Sequence, residues 1–293
     1  ILRQSKRTLE KVSKFKLVKN QIKINKIINP FKKKIYIPGD KSISIRCILL
    51  ASIATGKSEI FNLLKSEDVL NAVKAVKKIG VNCIKKKNSF EIYGVGINGF
   101  HIKKNTTINA GNSGTLARCI LGLCSGIDKE IKIIGDKSLS KRDFLRVIKP
   151  LNLFGTKVVS KNGMMPLKIV GSDLLRPINY IENKGSAQIK TCIILSAINT
   201  NGITNIKAKK SRNHTELILK NLNYPINIKK NKKYDFIKIR GLSQFNSFNY
   251  NVPGDISSAA FFIALTILSN NSNLLIKDVN INPSRNLVLL KFK

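Results

Sequence analysis

One pattern is written three times in this chain, and it constrains the fold more than any other feature. "SEDVLNAVKAVKKIGVNCIKKKNSFEIYG" runs from Ser66 to Gly94, "KRDFLRVIKPLNLFGTKVVSKNGMMPLKIVG" from Lys141 to Gly171, and "NHTELILKNLNYPINIKKNKKYDFIKIRG" from Asn213 to Gly241. Each copy opens on apolar residues at helical spacing, in the first copy Val69, Ala72, Val73 and Val76. Each continues through a turn, a strand, a polar hairpin and a second strand, and stops at glycine. In the first copy Ser66 stands as the helix cap, Glu67 and Asp68 occupy the first turn where the helix dipole favours acids, and Gly80 ends the helix. An earlier strand or apolar helix precedes each copy: "KIYI" with "SISIRCILLASIATG", "TTINA" with "GNSGTLARCILGLCSG", and "SAQIKTCIILSAINTNG" before the third. The pattern predicts a mixed α and β (α+β) fold in which a βαβαββ unit recurs three times between Ile35 and Gly241. Its period of roughly 70–77 residues is longer than that of solenoid repeats. A fourth unit begins at Pro253, with a helix in "ISSAAFFIALTILSN" and a strand in "NLLIKDV", and stops part-way at Lys293.

A shorter recurrence overlaps the long one. "PGDKSISIR" (Pro38–Arg46), "GDKSLSKR" (Gly135–Arg142) and "PGDISSAA" (Pro253–Ala260) each follow a β-rich run and open an apolar stretch, as the strand-to-helix turn of a repeated unit would. Such junctions expose free backbone N–H groups and the positive end of the helix dipole, so they are ready anion sites. In the first, Ser42 and Ser44 offer hydroxyls, Lys41 a compact charge and Arg46 a bidentate fork, with Asp40 or Ser42 as N-cap. "NAGNSGTLAR" (Asn109–Arg118) adds Asn112, Ser113, Thr115 and Arg118 beside Gly111 and Gly114, which let a ligand approach the backbone. It is not a Walker loop, because no GK[ST] closes it. "GDKSLSKR" adds Lys141 and Arg142, "GSAQIK" adds Ser186, Gln188 and Lys190, and "SRNHTE" adds Ser211 and Arg212. Five junctions with hydroxyls, amides and cations, and no Ser-His-Asp order, suit a small, multiply anionic ligand that also carries hydroxyls.

Composition narrows the partners. The net charge is +37, yet Lys far outnumbers Arg, and its clusters fall where solvated turns are expected, such as Lys85–Lys87 and Lys229–Lys233. Compositional bias on solvent-facing positions accounts for most of that charge. Along the sequence the basic residues lack interleaved aromatics, so no nucleic-acid partner is expected. No apolar run of about 18 residues marks a membrane span. Cys47, Cys83, Cys119, Cys124 and Cys192 form no CxxC pair, and His101 and His214 are far apart. The expectation is no metal site, and buried reduced thiols in a cytoplasmic protein.

In their order and spacing, "IPGDKSIS" with Arg46, "GNSGT" with Arg118, "GDKSLSKR", "SAQIK", "SRNHTE" and "VPGDISSAAFF" resemble 5-enolpyruvylshikimate-3-phosphate synthase over about 35–268. The resemblance implies transfer of enolpyruvyl from phosphoenolpyruvate to the 5-hydroxyl of shikimate 3-phosphate, with release of phosphate and no cofactor. It implies a monomer of two lobes, an inside-out α/β barrel, that close over the substrates. By position, Lys41 would touch both substrates, and Ser42, Arg46, Ser186, Ala187, Gln188 and Arg212 would hold shikimate 3-phosphate, with Ser211 beside them. Asn112, Gly114 and Arg142 would form part of the phosphoenolpyruvate site, supported by Thr115 and Arg118 and reached by Gln188. The chain departs from the family at Ile45 (usually His), Asp143 (usually Pro) and Asn213 (usually Asp). The family's proton-transferring Asp and Glu belong to later motifs that are not visible after Leu268, so the catalytic residues are unassigned. The expected division is a basic leader and first strand of a discontinuous lobe over 1–39, a complete lobe over 40–250, and an incomplete start of the other lobe over 251–293. "SAQIK" and "GDKSLSKR" argue against a UDP-N-acetylglucosamine enolpyruvyl transferase. A binding remnant without turnover is the other alternative.

Overall fold

The computed structural model describes residues 29–285 and, before them, two short paired strands, β1 (Leu17–Val18) and β2 (Gln21–Ile22). Most of the basic leader expected within 1–39 lies outside the described residues. The first unit comprises β3 (Lys32–Tyr36), α1 (Lys41–Ile53), β4 (Thr55–Phe61), α2 (Glu67–Lys78), β5 (Asn82–Lys85) and β6 (Ser89–Val95). The second comprises β7 (Thr106–Asn109), α3 (Gly114–Leu123), β8 (Glu130–Ile134), α4 (Leu145–Phe154), β9 (Lys157–Lys161) and β10 (Met164–Val170). The third comprises β11 (Asn179–Glu182), α5 (Ala187–Ile198), β12 (Ile203–Lys209), α6 (His214–Asn221), β13 (Ile226–Lys230) and β14 (Tyr234–Arg240). Then follow β15 (Asn249–Asn251), α7 (Ile256–Ile267) and β16 (Asn273–Lys277). The βαβαββ order therefore recurs three times, with β11 an opening strand that the motif reading did not mark.

Sheet pairing alters one assignment. In the second and third units the opening strand lies parallel to the next strand, giving the orders β7-β8-β10-β9 and β11-β12-β14-β13. In the first unit that place beside β4 is taken by β15, from the far end of the repeats, and not by β3. β3, which takes in the first three residues of "KIYI", pairs instead with β16. The two crossing segments clasp each other: Asp40 N donates to Pro253 O at 2.8 Å, and Asp255 N donates to Pro38 O at 3.0 Å.

The core explains which helices are central. α1 and α5 are apolar around almost their whole circumference and are buried along nearly their whole length. A helix apolar on every face belongs inside the molecule. The sheets lie outside, and β12 and β14 alternate exposed and buried positions residue by residue. The glycine that closes each unit has a steric reason. A Cβ on Gly94 would strike the carbonyl oxygens of Ala51 and Ala54, one on Gly171 those of Ser125 and Ile127, and one on Gly241 those of Ala197 and Thr200. Each glycine lets the last strand lie against the backbone at the end of its own unit's first helix. All five cysteines are buried and unbonded. Among the described residues no helix is long and apolar enough to cross a membrane.

Candidate functional site

The three copies of the short motif do not occupy equivalent places. Asp40 caps α1, accepting from Ile43 N at 3.0 Å, and Asp255 caps α7, accepting from Ser257 N at 2.8 Å. "GDKSLSKR" instead follows β8, the second strand of its unit, where Asp136 accepts from Leu139 N at 2.7 Å and the chain makes a short 3-10 turn over Leu139–Lys141 before α4. The true counterparts of the first junction are the starts of α3 and α5, capped by Ser113 and Ser186. Ser66 takes the N-cap position of α2 without a side-chain capping bond, and its hydroxyl is buried without a partner among the described residues.

Two linked clusters form where α1, α3, α5 and α6 begin. In one, Arg118 Nη1 donates to Gln188 Oε1 at 3.0 Å and to Gly114 O at 3.2 Å, while Gln188 Nε2 donates to Thr115 Oγ1 at 3.0 Å. The Arg118 guanidinium rests on the Phe144 ring, 4.8 Å from its centroid. Arg142 Nη2 donates to Asn112 Oδ1 at 3.1 Å, and Asn112 Nδ2 donates to Asp136 at 2.6 Å. Gly114 lies beneath both arginines: a Cβ there would come 2.9 Å from Arg118 Nη1 and 3.0 Å from Arg142 Nη1. Gly111, at φ +56°, takes a left-handed turn that a side chain disfavours.

In the second cluster, Arg212 Nη1 donates to Ser42 Oγ at 3.3 Å. Arg46 is almost fully buried and donates to Ser42 O at 2.9 Å, to Thr215 Oγ1 at 2.8 Å, to Thr191 Oγ1 at 3.0 Å and to Ala187 O at 3.4 Å. It therefore fixes the starts of α1 and α5 relative to each other. Lys41 stands apart, half-exposed, and pairs with Asp68 at 2.8 Å. The Ser211 hydroxyl is buried without a partner among the described residues. Adjacent Ala187 and Gln188 join the two clusters. Lys190 does not face them: it is fully buried, 2.6 Å from Glu216 and 3.6 Å from Asp235.

The electrostatics suit an anion. Burial first, and the neighbouring Arg142 charge second, lower the Arg118 pKa. Burial, then Arg285 and Arg46, do the same for Arg212. Each cation is strained by its like-charged neighbours, and a bound anion relieves that strain. His214 is buried with both ring nitrogens unpartnered among the described residues, and its pKa is pushed down to about 3 by burial and then by Arg46, Arg285 and Arg212.

The motif reading passed over Arg285 and its loop. Arg285 Nη1 lies 3.1 Å from Asp40 Oδ2, and Nη2 lies 3.7 Å from Asp255 Oδ1. Asn280 Nδ2 donates to Asp40 Oδ2 at 3.2 Å, and Asn282 Nδ2 donates to Asn213 Oδ1 at 2.8 Å. This loop holds the capping residues of α1, α7 and α6 together. Glu182 was also missed; its carboxylate accepts from the backbone N–H groups of Lys184, Gly185 and Ser186 and shapes the turn into α5. Neither lies in a Gly/Ser motif, and only a residue-by-residue search for lone charges among polar loops would have found them.

Outer four-stranded sheets around inner helices, with helix starts bearing arginines gathered on one face, define the enolpyruvyl transferase architecture. The solved structure of EPSP synthase from Acinetobacter baumannii superposes with a TM-score of 0.81 at 34% sequence identity, covering 89% of this chain and 58% of that one. The family model for EPSP synthase (3-phosphoshikimate 1-carboxyvinyltransferase) matches residues 25–292, and the chain belongs to that family. The 3-phosphoshikimate 1-carboxyvinyltransferase of Vesicomyosocius okutanii is 41% identical over 263 residues, which are 88% of this chain and 59% of the relative. That of Ruthia magnifica is 42% identical over 250 residues, 85% of this chain and 56% of the relative. The chain thus spans less than two thirds of the length of the curated relatives it matches.

Proposed function

We propose that this chain supplies the shikimate 3-phosphate site, and part of the phosphoenolpyruvate site, of a 3-phosphoshikimate 1-carboxyvinyltransferase. The observation that carries the reading is the pair of guanidinium groups over Gly114, joined through Gln188 to the start of α5. In this reading Ser42, Ser186, Ala187, Gln188 and Arg212 hold shikimate 3-phosphate, with Ser211 offering its unpartnered hydroxyl. Arg46 locks the backbone that presents Ser42 and Ala187. Asn112, Gly114 and Arg142 hold phosphoenolpyruvate, with Thr115 and Arg118 beneath them. Lys41 leaves Asp68 to reach both ligands.

The shikimate 5-hydroxyl oxygen bonds to the central carbon of phosphoenolpyruvate, and its proton and the phosphate group leave. The fixed cations stabilise the carboxylate and phosphate, and water exclusion strengthens that effect. Protonation of the methylene carbon as the C–O bond forms, removal of the hydroxyl proton, and loss of a proton from the resulting methyl carbon as phosphate departs, which restores the double bond, fall to groups outside those named. The reading divides the chain into a lobe over 40–250 and the start of a second over 251–293, which the exchange of β3 and β15 supports. It takes a single cytoplasmic chain as the acting unit, with no cofactor in the chemistry.

Calorimetry tests the reading directly. Shikimate 3-phosphate should bind the 293-residue chain saturably and lose binding in Arg212→Gln, and phosphoenolpyruvate should bind in its presence and lose binding in Arg142→Gln. Saturable binding of UDP-N-acetylglucosamine in place of shikimate 3-phosphate would assign the site to the sister enzyme and overturn the proposal.

A further inference from the structure

The three outer sheet faces are internal controls for one another, because they are built from the same unit and share any compositional bias. On the first, Tyr93 is exposed, but Glu91 shares the face and pairs with Lys57 at 3.3 Å and Lys86 at 3.4 Å. On the second, Lys132, Lys157, Lys161 and Lys168 face outward without an aromatic neighbour, and Glu130 pairs with Lys168 at 3.0 Å. The third differs from both. The two acids on its strands, Glu182 and Asp235, are buried on the inner side. Its outer face therefore carries no carboxylate from these strands.

Strand register assembles there what the sequence separates. Phe236, 41% exposed, lies opposite Lys207 on one side and Lys229 on the other. The adjacent row sets Lys238 between Asn205 and Asn227. Lys207 Nζ stands 4.8 Å from the Tyr234 ring centroid and 5.9 Å from that of Phe236. Apart from Tyr234, these side chains line a shallow cavity of about 570 Å³. The expectation of no nucleic-acid partner rested on basic residues without interleaved aromatics, and on this face alone of the three an aromatic is interleaved with lysines that have no ion pair among the described residues.

We infer that the outer face of β11–β14 binds single-stranded nucleic acid. An exposed ring that every base can stack upon, flanked by cations at phosphate reach, is the arrangement that sequence-tolerant single-strand binders use. The amides of Asn205 and Asn227 add donors and acceptors for base edges. An anionic lipid surface fits less well, because the exposed apolar side chains Ile181, Ile203 and Phe236 are set among asparagines and lysines rather than forming a continuous apolar face. The inference is independent of the reading at the helix starts, which lie on the inner side of the fold.

Fluorescence anisotropy of the 293-residue chain with a labelled thymidine twelve-mer, and with an abasic twelve-mer of equal charge, tests it. The base-bearing strand should bind at least about fivefold more tightly, as one stacked base provides. Phe236→Ala, a change at a half-exposed position, should abolish that preference while leaving the abasic strand's affinity unchanged. Replacing Lys207, Lys229 and Lys238 together by Gln should lower the salt slope of the thymidine strand by about 2, the value for three phosphate contacts on a single strand. Replacing Lys132, Lys157 and Lys161 by Gln removes the same charge from the second face and should change the slope far less. Equal affinity for the two strands, an undiminished preference in Phe236→Ala, or equal losses in the two triple variants would each overturn the inference. Binding to phosphatidylglycerol vesicles that Phe236→Ala abolishes would assign the face to a membrane instead.

Discussion

Two residues apart on a helix point about 200° away from each other, and that geometry separates Gln188 from Lys190. Ser186 caps α5, Gln188 faces the arginines, and Lys190 turns inward to Glu216 and Asp235. The motif "GSAQIK" made both legible as polar residues at a helix start, but the buried carboxylates that receive Lys190 come from α6 and β14, which no local signal indicates. Lys190→Met would strand two carboxylates in the core, and should cost about 3–5 kcal/mol in urea unfolding, the range for breaking a buried pair. His214 supplies a pH dependence. Arg46, Arg212 and Arg285 oppose its protonation, and Asp255 favours it more weakly. The unfolded chain takes up this proton below about 6.5, but the folded chain holds out to about 3. Stability from this group is therefore full above 6.5 and is lost as the pH falls toward 3, at up to about 1.4 kcal/mol per pH unit. His214→Gln should flatten urea midpoints across that window relative to the parent protein, and parallel profiles would show that the ring does not titrate there. At Lys41 the prediction concerns binding. Lys41→Ala should weaken shikimate 3-phosphate by about 1.5–3 kcal/mol, and calorimetry with unchanged affinity would remove it from the site.

Helical periodicity, capping residues and terminal glycines made the elements of each unit readable, because those signals act within a few residues. The glycines were legible as punctuation, whereas their cause was not, since the carbonyls they accommodate lie at the end of a helix some forty residues earlier along the chain. Gly241→Ala should push β14 away from the end of α5 and cost about 1–3 kcal/mol, as overpacking does. A thermal melt indistinguishable from the parent would mean the strand shifts freely. The opening strands show the limit of local reading. "KIYI" and "YNV" each precede a Pro-Gly-Asp turn, so nothing nearby decides which one joins β4. The same ambiguity made "GDKSLSKR" look equivalent to "GDKSISIR", although it follows a second strand and enters a 3-10 turn.

At the scale of the molecule, Arg285 connects the crossing point to the candidate site, since Asp40 and Asp255 begin the helices on either side of it. Arg285→Ala should leave the fully buried Asp40 carboxylate without its cation and weaken shikimate 3-phosphate binding, and Arg285→Lys should restore part of the loss. Calorimetry in which both variants match the parent would disconnect the loop from the site. The exchange of β3 for β15 also bears on the order in which the protein takes shape at the ribosome. The second and third units are each encoded without interruption, so each can close as it emerges. The first unit leaves the exit tunnel earliest, yet the strand that finishes its sheet is translated last among the repeats. Until Asn249–Asn251 appears, β4 carries a bare parallel edge, the kind of surface that invites pairing with another chain. A nascent chain arrested before that strand is exposed should show 106–241 resisting protease while 41–95 remains open to it, so that what is synthesised first is secured last.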